Sequence, residues 1–186
     1  MPETAVSKLG FALLGLLRQN PSSGYDLRKI SSTTAMTTYS DSPGAIYPAL
    51  QRLQGQGLIR GSIESGAGLR RRQVFRLTPQ GAAELKRWIT RPVVRADVIR
   101  GLDEVMLRFA FSEQAAGPAA SVRILKFLQS ELTLYIPDLH QQLRAGKAAM
   151  PTSGRLALES GIQGYECLLQ WTRKAIATYR REKRKR

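Results

Sequence analysis

The amino-acid sequence predicts a mostly α-helical protein with a small β-hairpin, organised as an N-terminal winged helix-turn-helix and a C-terminal α-helical domain. Three observations predict this fold class. Three helical patterns precede two short β-prone runs within the first 90 residues, and the second run is rich in arginine. The second half carries long amphipathic patterns, one of them a heptad repeat. We therefore expect domains at 1–90 and 91–179, followed by a frayed basic tail at 180–186.

The first two helices are separated by a proline. Apolar residues recur at helical spacing from Thr4 to Arg18 on two faces, so we expect this helix to be covered on both sides. Pro21 ends it, and either serine of the following Ser-Ser pair can cap a second helix over about 23–35. The threonine-rich segment after it has low helix propensity and is predicted to be a loop.

A third helix is predicted within the stretch "SPGAIYPALQRLQGQGLIRG", which begins at Ser42. The Ser42 hydroxyl can accept hydrogen bonds from the first turn, and Pro43 fits the first helical position, where its missing N–H costs nothing. Pro48 cannot bond back to Gly44, which loosens the helix there. Gly57 suits a left-handed position after the helix. The apolar stripe of this helix is Ile46, Leu50 and Leu53.

The runs "LIRGSIES" and "LRRRQVFRL" flank a glycine-containing turn and predict a hairpin. Four arginines fall on its second strand: Arg70, Arg71, Arg72 and Arg76. Thr78 is predicted to cap a fourth helix, with Pro79 at its first position. In a winged helix-turn-helix the second of the turn-linked helices lies in the major groove, and we expect the hairpin to touch the adjacent backbone.

The charge distribution favours a polyanionic partner. The formal net charge is +15. Residues 1–90 carry 12 Lys and Arg against 5 Asp and Glu, residues 91–172 carry 9 against 8, and residues 173–186 carry 8 against 1. A concentrated positive field indicates nucleic acid before membrane. The alternative is a basic surface that serves solubility.

Other classes of site have little support in the sequence. A single cysteine, Cys167, excludes an intramolecular disulfide framework and a thiolate cluster and suits a reducing compartment. His140 is the only histidine, so histidine-based catalysis and multi-histidine metal sites are not expected. No secretory signal or membrane span is predicted, and we expect a cytoplasmic protein without cofactor, metal or catalytic residues.

The segments "LLGLL", "PSSGYDL", "SPGAIYPALQRLQGQGLI" and "RRRQVFRLTPQGAAEL", in this order and spacing, resemble the PadR family of bacterial transcriptional regulators. The resemblance covers about residues 9–90. The run "GLDEVMLRFAF" at 101–111, with two long helices after it, also resembles the C-terminal domain of longer PadR members, on fewer fixed residues. The resemblance implies a homodimeric repressor that binds double-stranded DNA at a palindromic operator and is released by a small aromatic or amphipathic inducer.

In such proteins the tyrosine that corresponds to Tyr47 and the start of its helix face DNA. Tyr47 would then reach a phosphate, while Gly44 and Ala45 let the helix end approach closely. The alternative is that Tyr47 packs on the second helix and Pro48 is only a bend. The wing arginines are expected to contact phosphates or a narrow minor groove, with a solvated charge run as the alternative. The complete predicted set is Tyr25, Lys29, Ser42, Gly44, Ala45, Tyr47, Pro48, Arg52, Arg70, Arg71 and Arg72, of which Tyr25 suits the core equally well.

The segment "LALESGIQGYECLLQWTRKAIATY" has apolar residues that alternate between steps of four and three, which is a heptad seam of about three repeats. We expect this seam to pair with a second subunit, because operators with two half-sites are read by two-fold proteins. Packing within its own chain is the alternative. The predicted dimer contacts are Leu158, Ile162, Tyr165, Leu169 and Ile176.

An effector pocket is hypothesised at Trp88, Met106, Tyr165 and Trp171, although one sequence does not distinguish a pocket from a core. Two other classes of function remain open. One is a nonspecific architectural or RNA-binding protein, for which a winged hairpin and a positive charge would be as useful as they are for a DNA-binding regulator. The other is an enzyme acting on nucleic acid, for which Asp97, Asp103 and Glu104 form the tight acidic cluster, more simply explained by pairing with Arg100 and Arg108.

Overall fold

The computed structural model describes residues 5–33, 42–65, 71–146 and 149–185. The chain divides into two compact units. The first contains the chain up to Ile89 together with Gln114–Ala116, and the second contains Thr90–Glu113 and the chain from Gly117 onward. Each unit has its own buried apolar residues and is described separately.

The first unit confirms the predicted combination of helices and a small antiparallel sheet. Its elements are α1 (Lys8–Gln19), β1 (Ser22–Ser23), α2 (Gly24–Thr33), α3 (Pro43–Gly55), β2 (Ile59–Ser65), β3 (Arg71–Leu77) and α4 (Pro79–Thr90). The predicted hairpin pairs Ile59 with Leu77 and Ser65 with Arg71. A strand that was not predicted, β1, pairs with β3 on its other side, so the sheet order is β1-β3-β2.

The helix α1 forms the centre of this unit, as its two apolar faces predicted. Every residue from Gly10 to Leu17 is buried. The helix begins at Lys8 rather than near Thr4, because the Ser7 hydroxyl accepts a hydrogen bond from the Gly10 N–H at 3.1 Å and caps it. Phe11 stacks on Trp88 of α4, with ring centroids 4.3 Å apart and planes 4° apart.

The helix termini around the wing follow the predicted positions with one difference. The carbonyl oxygen of Ser42, rather than its hydroxyl, accepts the first bonds of α3, from the N–H groups of Ala45 and Ile46. Gly57 has a φ of +71°, which confirms its left-handed position. The Thr78 hydroxyl accepts from the Gly81 N–H at 3.0 Å, which confirms the cap of α4.

The second unit is helical, as predicted. Its elements are α5 (Arg95–Arg100), α6 (Leu102–Ala116), α7 (Pro118–Gly146) and α8 (Thr152–Lys185). The helices α7 and α8 pack against each other and run antiparallel, because early residues of α7 meet late residues of α8: Ser121 contacts Tyr179, and Tyr135 contacts Tyr165. The basic tail at 180–185 continues α8 to Lys185 instead of being frayed, while Arg186 lies outside the described residues.

The core of the second unit contains a buried arginine. Arg108 is fully buried, and its Nη2 donates a hydrogen bond to the carbonyl oxygen of Arg91. Burial, reinforced by the charge of Arg91, lowers the pKa of Arg108 to about 10. In the same unit, the buried hydroxyl of Ser112 donates to the Phe109 carbonyl oxygen at 2.7 Å and lies 2.6 Å from the buried hydroxyl of Ser121, so both hydroxyls have hydrogen-bond partners. In the described part of the chain, no helix has the length and apolar character needed to cross a membrane.

Candidate nucleic-acid interface

Two faces of α3 have opposite character. Ile46, Leu50 and Leu53 point into the core and are at most 2% exposed. Gly44 and Arg52 are exposed, Ala45 and Pro48 are half-buried, and Tyr47 is 45% exposed. The predicted DNA-facing residues of this helix therefore lie on its solvent side.

The ring of Tyr47 lies over the first residue of α2. A Cβ atom added at Gly24 would be 2.6 Å from Cε1 of Tyr47, closer than real side-chain contacts allow. Tyr47 thus packs on α2 and is also accessible to solvent, so it combines features of both sequence interpretations. Gly24 is what permits this close contact.

The start of α2 adds exposed aromatic and basic groups. Tyr25 is 62% exposed, so it does not belong to the core. The guanidinium of Arg28 lies 5.9 Å from the centre of its ring, within reach of a cation–π contact. Lys29 is exposed on the same helix.

Asp26 connects α2 to the wing. Its carboxylate accepts hydrogen bonds from the Ser23 hydroxyl at 2.7 Å and from the Ser23 N–H at 3.2 Å, and it lies 3.8 Å from Nη1 of Arg72. These hydrogen bonds from Ser23, helped by the charges of Arg72 and Lys29, lower the pKa of Asp26 despite some burial. The carboxylate therefore orients one wing arginine.

The wing arginines are not equivalent. Arg76 contacts Glu64 across the hairpin at 2.5 Å and lowers the pKa of that carboxyl chiefly through its hydrogen bond. Arg72 is held near Asp26, as described above. Arg71 is exposed at the start of β3, and Arg70 lies outside the described residues.

Three glutamines at this surface were missed by the sequence analysis. Gln51 and Gln54 on α3 and Gln73 on β3 line a groove of about 490 Å³, together with Tyr47 and the nearly buried Phe75. The sequence contained a signal for them, because Gly44, Tyr47, Gln51 and Gln54 repeat at helical spacing on a face beside the apolar stripe.

The predicted dimer seam is largely covered by its own chain. Ile162 and Ile176 are 2% and 4% exposed within the single chain, and Thr172, in the same seam, is fully buried. Leu158, Tyr165 and Leu169 are half-buried. For Ile162 and Ile176 the structure therefore favours packing within the chain over a dimer contact, because side chains already covered by α7 have no surface left for a second subunit.

The four residues of the hypothesised effector pocket have separate surroundings. Trp88 belongs to the core of the first unit, where it stacks on Phe11. In the second unit, Tyr165 meets Tyr135 edge-on at 5.3 Å, and Trp171 meets Phe109 edge-on at 5.6 Å. Met106 is half-buried. These contacts explain the aromatic residues as packing elements.

The acidic cluster has a structural role in the second unit. Nη2 of Arg91 lies 3.2 Å from Asp97 and 2.8 Å from Glu104, so these acids form ion pairs with Arg91, which was not predicted. Of the two expected partners, Arg108 also interacts with both acids, whose charges raise its pKa and oppose the effect of burial. Asp97 also accepts from the Val94 N–H at 3.0 Å and caps α5. Within the described ranges, no group of three or more His, Cys, Asp and Glu residues is placed to hold a metal ion.

The order α1-β1-α2-α3-β2-β3-α4, with an exposed face on α3 and a basic hairpin, defines the first unit as a winged helix-turn-helix domain. Residues 13–87 match the model of the "Transcriptional regulator PadR-like family". Over this segment the chain is similar to the PadR-like family.

The similar proteins include two curated regulators. The negative transcriptional regulator PadR of Bacillus subtilis is 30% identical over 103 residues, which cover 55% of this chain and 56% of that protein. The transcriptional regulator YqjI of Escherichia coli is 38% identical over 79 residues, which cover 42% of this chain and 36% of that protein. The chain therefore matches about half of the length of the first of these relatives and about a third of the second. Among solved structures, Bacillus subtilis PadR in complex with operator DNA aligns with a TM-score of 0.45 and 22% identity, covering 92% of this chain and 98% of that one.

Proposed function

We propose that this protein is a sequence-specific DNA-binding transcriptional regulator, acting as a homodimeric repressor that a small molecule releases. The observation that carries the proposal is the exposed face of α3 beside a basic wing, within a segment that matches the PadR-like family model. In the dimer, two copies of α3 would occupy successive major grooves of a palindromic operator and block the promoter.

The electrostatics of the first unit suit DNA. The sequence of α3, "PGAIYPALQRLQG", contains no acidic residue, so the helix approaches phosphates without repulsion. The N-terminus of α3 adds partly positive backbone N–H groups beside Gly44 and Tyr47. Exposed cations lie on α2, α3 and β3: Arg28, Lys29, Arg52 and Arg71.

The rival function is nonspecific binding of nucleic acid, which the same charges would support. The deciding experiment recovers bound fragments from the organism's own genome and footprints them in excess competitor DNA. Protection of one palindrome supports the regulator, whereas uniform protection that competitor abolishes supports the rival.

For the dimer we propose a different face of α8 from the heptad seam. Gly161, Gly164, Leu168 and Trp171 repeat at steps of three and four, and a Cβ atom added at either glycine would meet nothing within 4 Å. Trp171, on the same face, is 37% exposed. An apolar face with two open glycines allows close approach of a second helix, and we assign it to a second copy of the chain.

For the effector we propose a cavity of about 510 Å³ between the start of α7 and the end of α8. Its apolar lining includes Pro118, Val122 and the ring of Tyr179, whose hydroxyl donates to Glu113 at 3.0 Å. Burial raises the pKa of Tyr179. The cationic side chains at the cavity are Lys126, Arg180 and Lys183. Two carboxylates, Glu113 and Glu182, also line the cavity, and Glu113 accepts from Tyr179. The three cations therefore exceed the acids by one charge, which favours an organic anion with an apolar body.

Equilibrium dialysis with 2-naphthoate and its uncharged counterpart 2-naphthol tests the cavity. We expect naphthoate to bind more tightly, Val122→Trp to remove binding by filling the space, and Arg123→Gln on the exposed side of α7 to change nothing. Equal binding of the two compounds, or binding that survives Val122→Trp, would contradict the assignment.

A further inference from the structure

We infer that the three glutamines of the groove between α3 and β3 divide the work of operator recognition: Gln51 reads an adenine in the major groove, while Gln54 and Gln73 hold the sugar–phosphate strand beside it. This inference rests on the proposed DNA-binding function. It concerns residues that are exposed or line the groove in the first unit.

The position of Gln51 on α3 suits a base contact. It lies one turn beyond Tyr47 on the exposed side of the helix, away from the stripe that enters the core. Its amide carries a donor and an acceptor, the combination that pairs with N7 and N6 of adenine. On the exposed side of the recognition helix, where base edges are in reach, this paired donor and acceptor matches adenine better than it matches a phosphate, which offers acceptors only.

On the side of the groove formed by the wing, two glutamine amides meet above Gly61. A Cβ atom added at Gly61 of β2 would be 2.7 Å from Nε2 of Gln73 and 3.3 Å from Oε1 of Gln54. The two amides, one from α3 and one from β3, therefore approach the same point above Gly61. Phe75 closes the groove below them, since its Cε1 lies 3.3 Å from that point.

This notch lies where a DNA strand has to pass. A recognition helix in the major groove and a wing against the adjacent backbone straddle one sugar–phosphate strand. The notch between α3 and β3 is the place on this domain that receives the strand. The amide N–H of Gln73 faces the notch and is a donor suited to phosphate oxygens, and Gln54, whose Oε1 faces the notch, donates there once its amide turns over. Because these donors carry no charge, they add affinity without adding to the salt dependence.

The test measures base preference and affinity separately. A selected pool of randomised duplexes first defines the preferred half-site of the wild-type protein, and fluorescence anisotropy then compares every single-base variant of it. The variants are Gln51→Met, Gln54→Met and Gln73→Met, because methionine keeps the length of glutamine and removes its hydrogen bonds. Gln80→Met on α4, outside the groove, is the matched control.

Gln51→Met should lower affinity for the preferred half-site roughly 5- to 150-fold and abolish the preference at one A·T position, with other positions unchanged. Gln54→Met and Gln73→Met should weaken all duplexes by the same factor, about tenfold, and leave both the preference and the salt slope as in wild type. Gln80→Met should behave like wild type.

Two results overturn the inference while leaving the proposed function intact. One is a wild-type preference profile that Gln51→Met does not change. The other is a Gln73→Met variant that binds like wild type or changes base preference. A wild-type protein without any preferred sequence would instead overturn the proposed function itself. Gly61→Ala adds an independent readout, because its methyl group should displace both amides and reproduce the loss seen with Gln73→Met.

Discussion

Replacing Gly24 with alanine tests whether the position of the Tyr47 ring matters for DNA binding. The new methyl carbon would lie 2.6 Å from Cε1 of Tyr47, so one of the two has to move. Because Tyr47 is 45% exposed, its ring can swing outward at little cost in folding free energy. Gly24 is also the first residue of α2, where alanine is a good helix former. We therefore expect a thermal midpoint close to that of the wild type.

The affinity for operator should fall much more than the stability. If the Tyr47 hydroxyl donates to a phosphate, that bond is worth roughly 1.5–3 kcal/mol. Both Tyr47→Phe and Gly24→Ala should then weaken binding by about ten- to a hundredfold. The two losses should not add, because the displaced ring has no hydroxyl contact left to lose.

Fluorescence anisotropy on one operator duplex, with thermal melts of the same four proteins, completes this double-mutant cycle. Additive losses in affinity would mean that Gly24→Ala acts by another route, such as disturbing the start of α2. A Tyr47→Phe variant that binds like wild type but melts earlier would show that Tyr47 is a packing residue only.

Three further predictions concern other parts of the molecule. Arg71→Ala should weaken operator and scrambled duplex together and reduce the salt slope of binding by about one unit, and an unchanged slope would mean that this arginine does not contact a phosphate. Leu168→Glu should give monomers in light scattering with an intact second unit, whereas Ile162→Ala should cost about 2–5 kcal/mol of stability without a change of interface. The reverse pattern would restore the heptad seam as the dimer contact. Asp26 has a lowered pKa, so its stabilisation is complete above its unfolded value of 3.8 and is lost as pH falls through the folded value. Thermal melts of Asp26→Asn should consequently show a flatter decline below pH 4 than wild type.

The elements of the first unit could be predicted because each has a local signal. Pro43 and Pro79 mark helix starts, Gly57 marks a helix end, and Thr78 supplies a cap, and all four are where the sequence placed them. The strand β1 had no such signal. It consists of two serines, and only its pairing with Phe75 and Val74 of β3 makes it a strand.

The candidate interface was predicted in outline but not in its contacts. Residue type and helix position were enough to place Tyr47, Arg71 and Arg72 at the surface. The placement of Gly24 under the ring, of Asp26 beside Arg72, and of Gln73 near Gln54 depends on elements that are distant in sequence. These contacts follow from the fold as a whole, so no short pattern encodes them.

The helix α8 shows why periodicity did not identify the partner of an apolar face. A heptad repeat defines the direction in which side chains point, and α7 of the same chain satisfies that direction as well as a second subunit does. Ile162 and Ile176, fourteen residues apart, are both buried in this way. The exposed face with Gly164 and Trp171 has the same period, shifted by one residue from the heptad seam. Two of its positions are glycines, so a search for large apolar residues did not detect it. One face of α8 is covered by α7 of the same chain, while the neighbouring face with Gly164 and Trp171 is apolar and exposed. An exposed apolar face is available to a second subunit, so this face, rather than the heptad seam, is where the dimer contact should be tested.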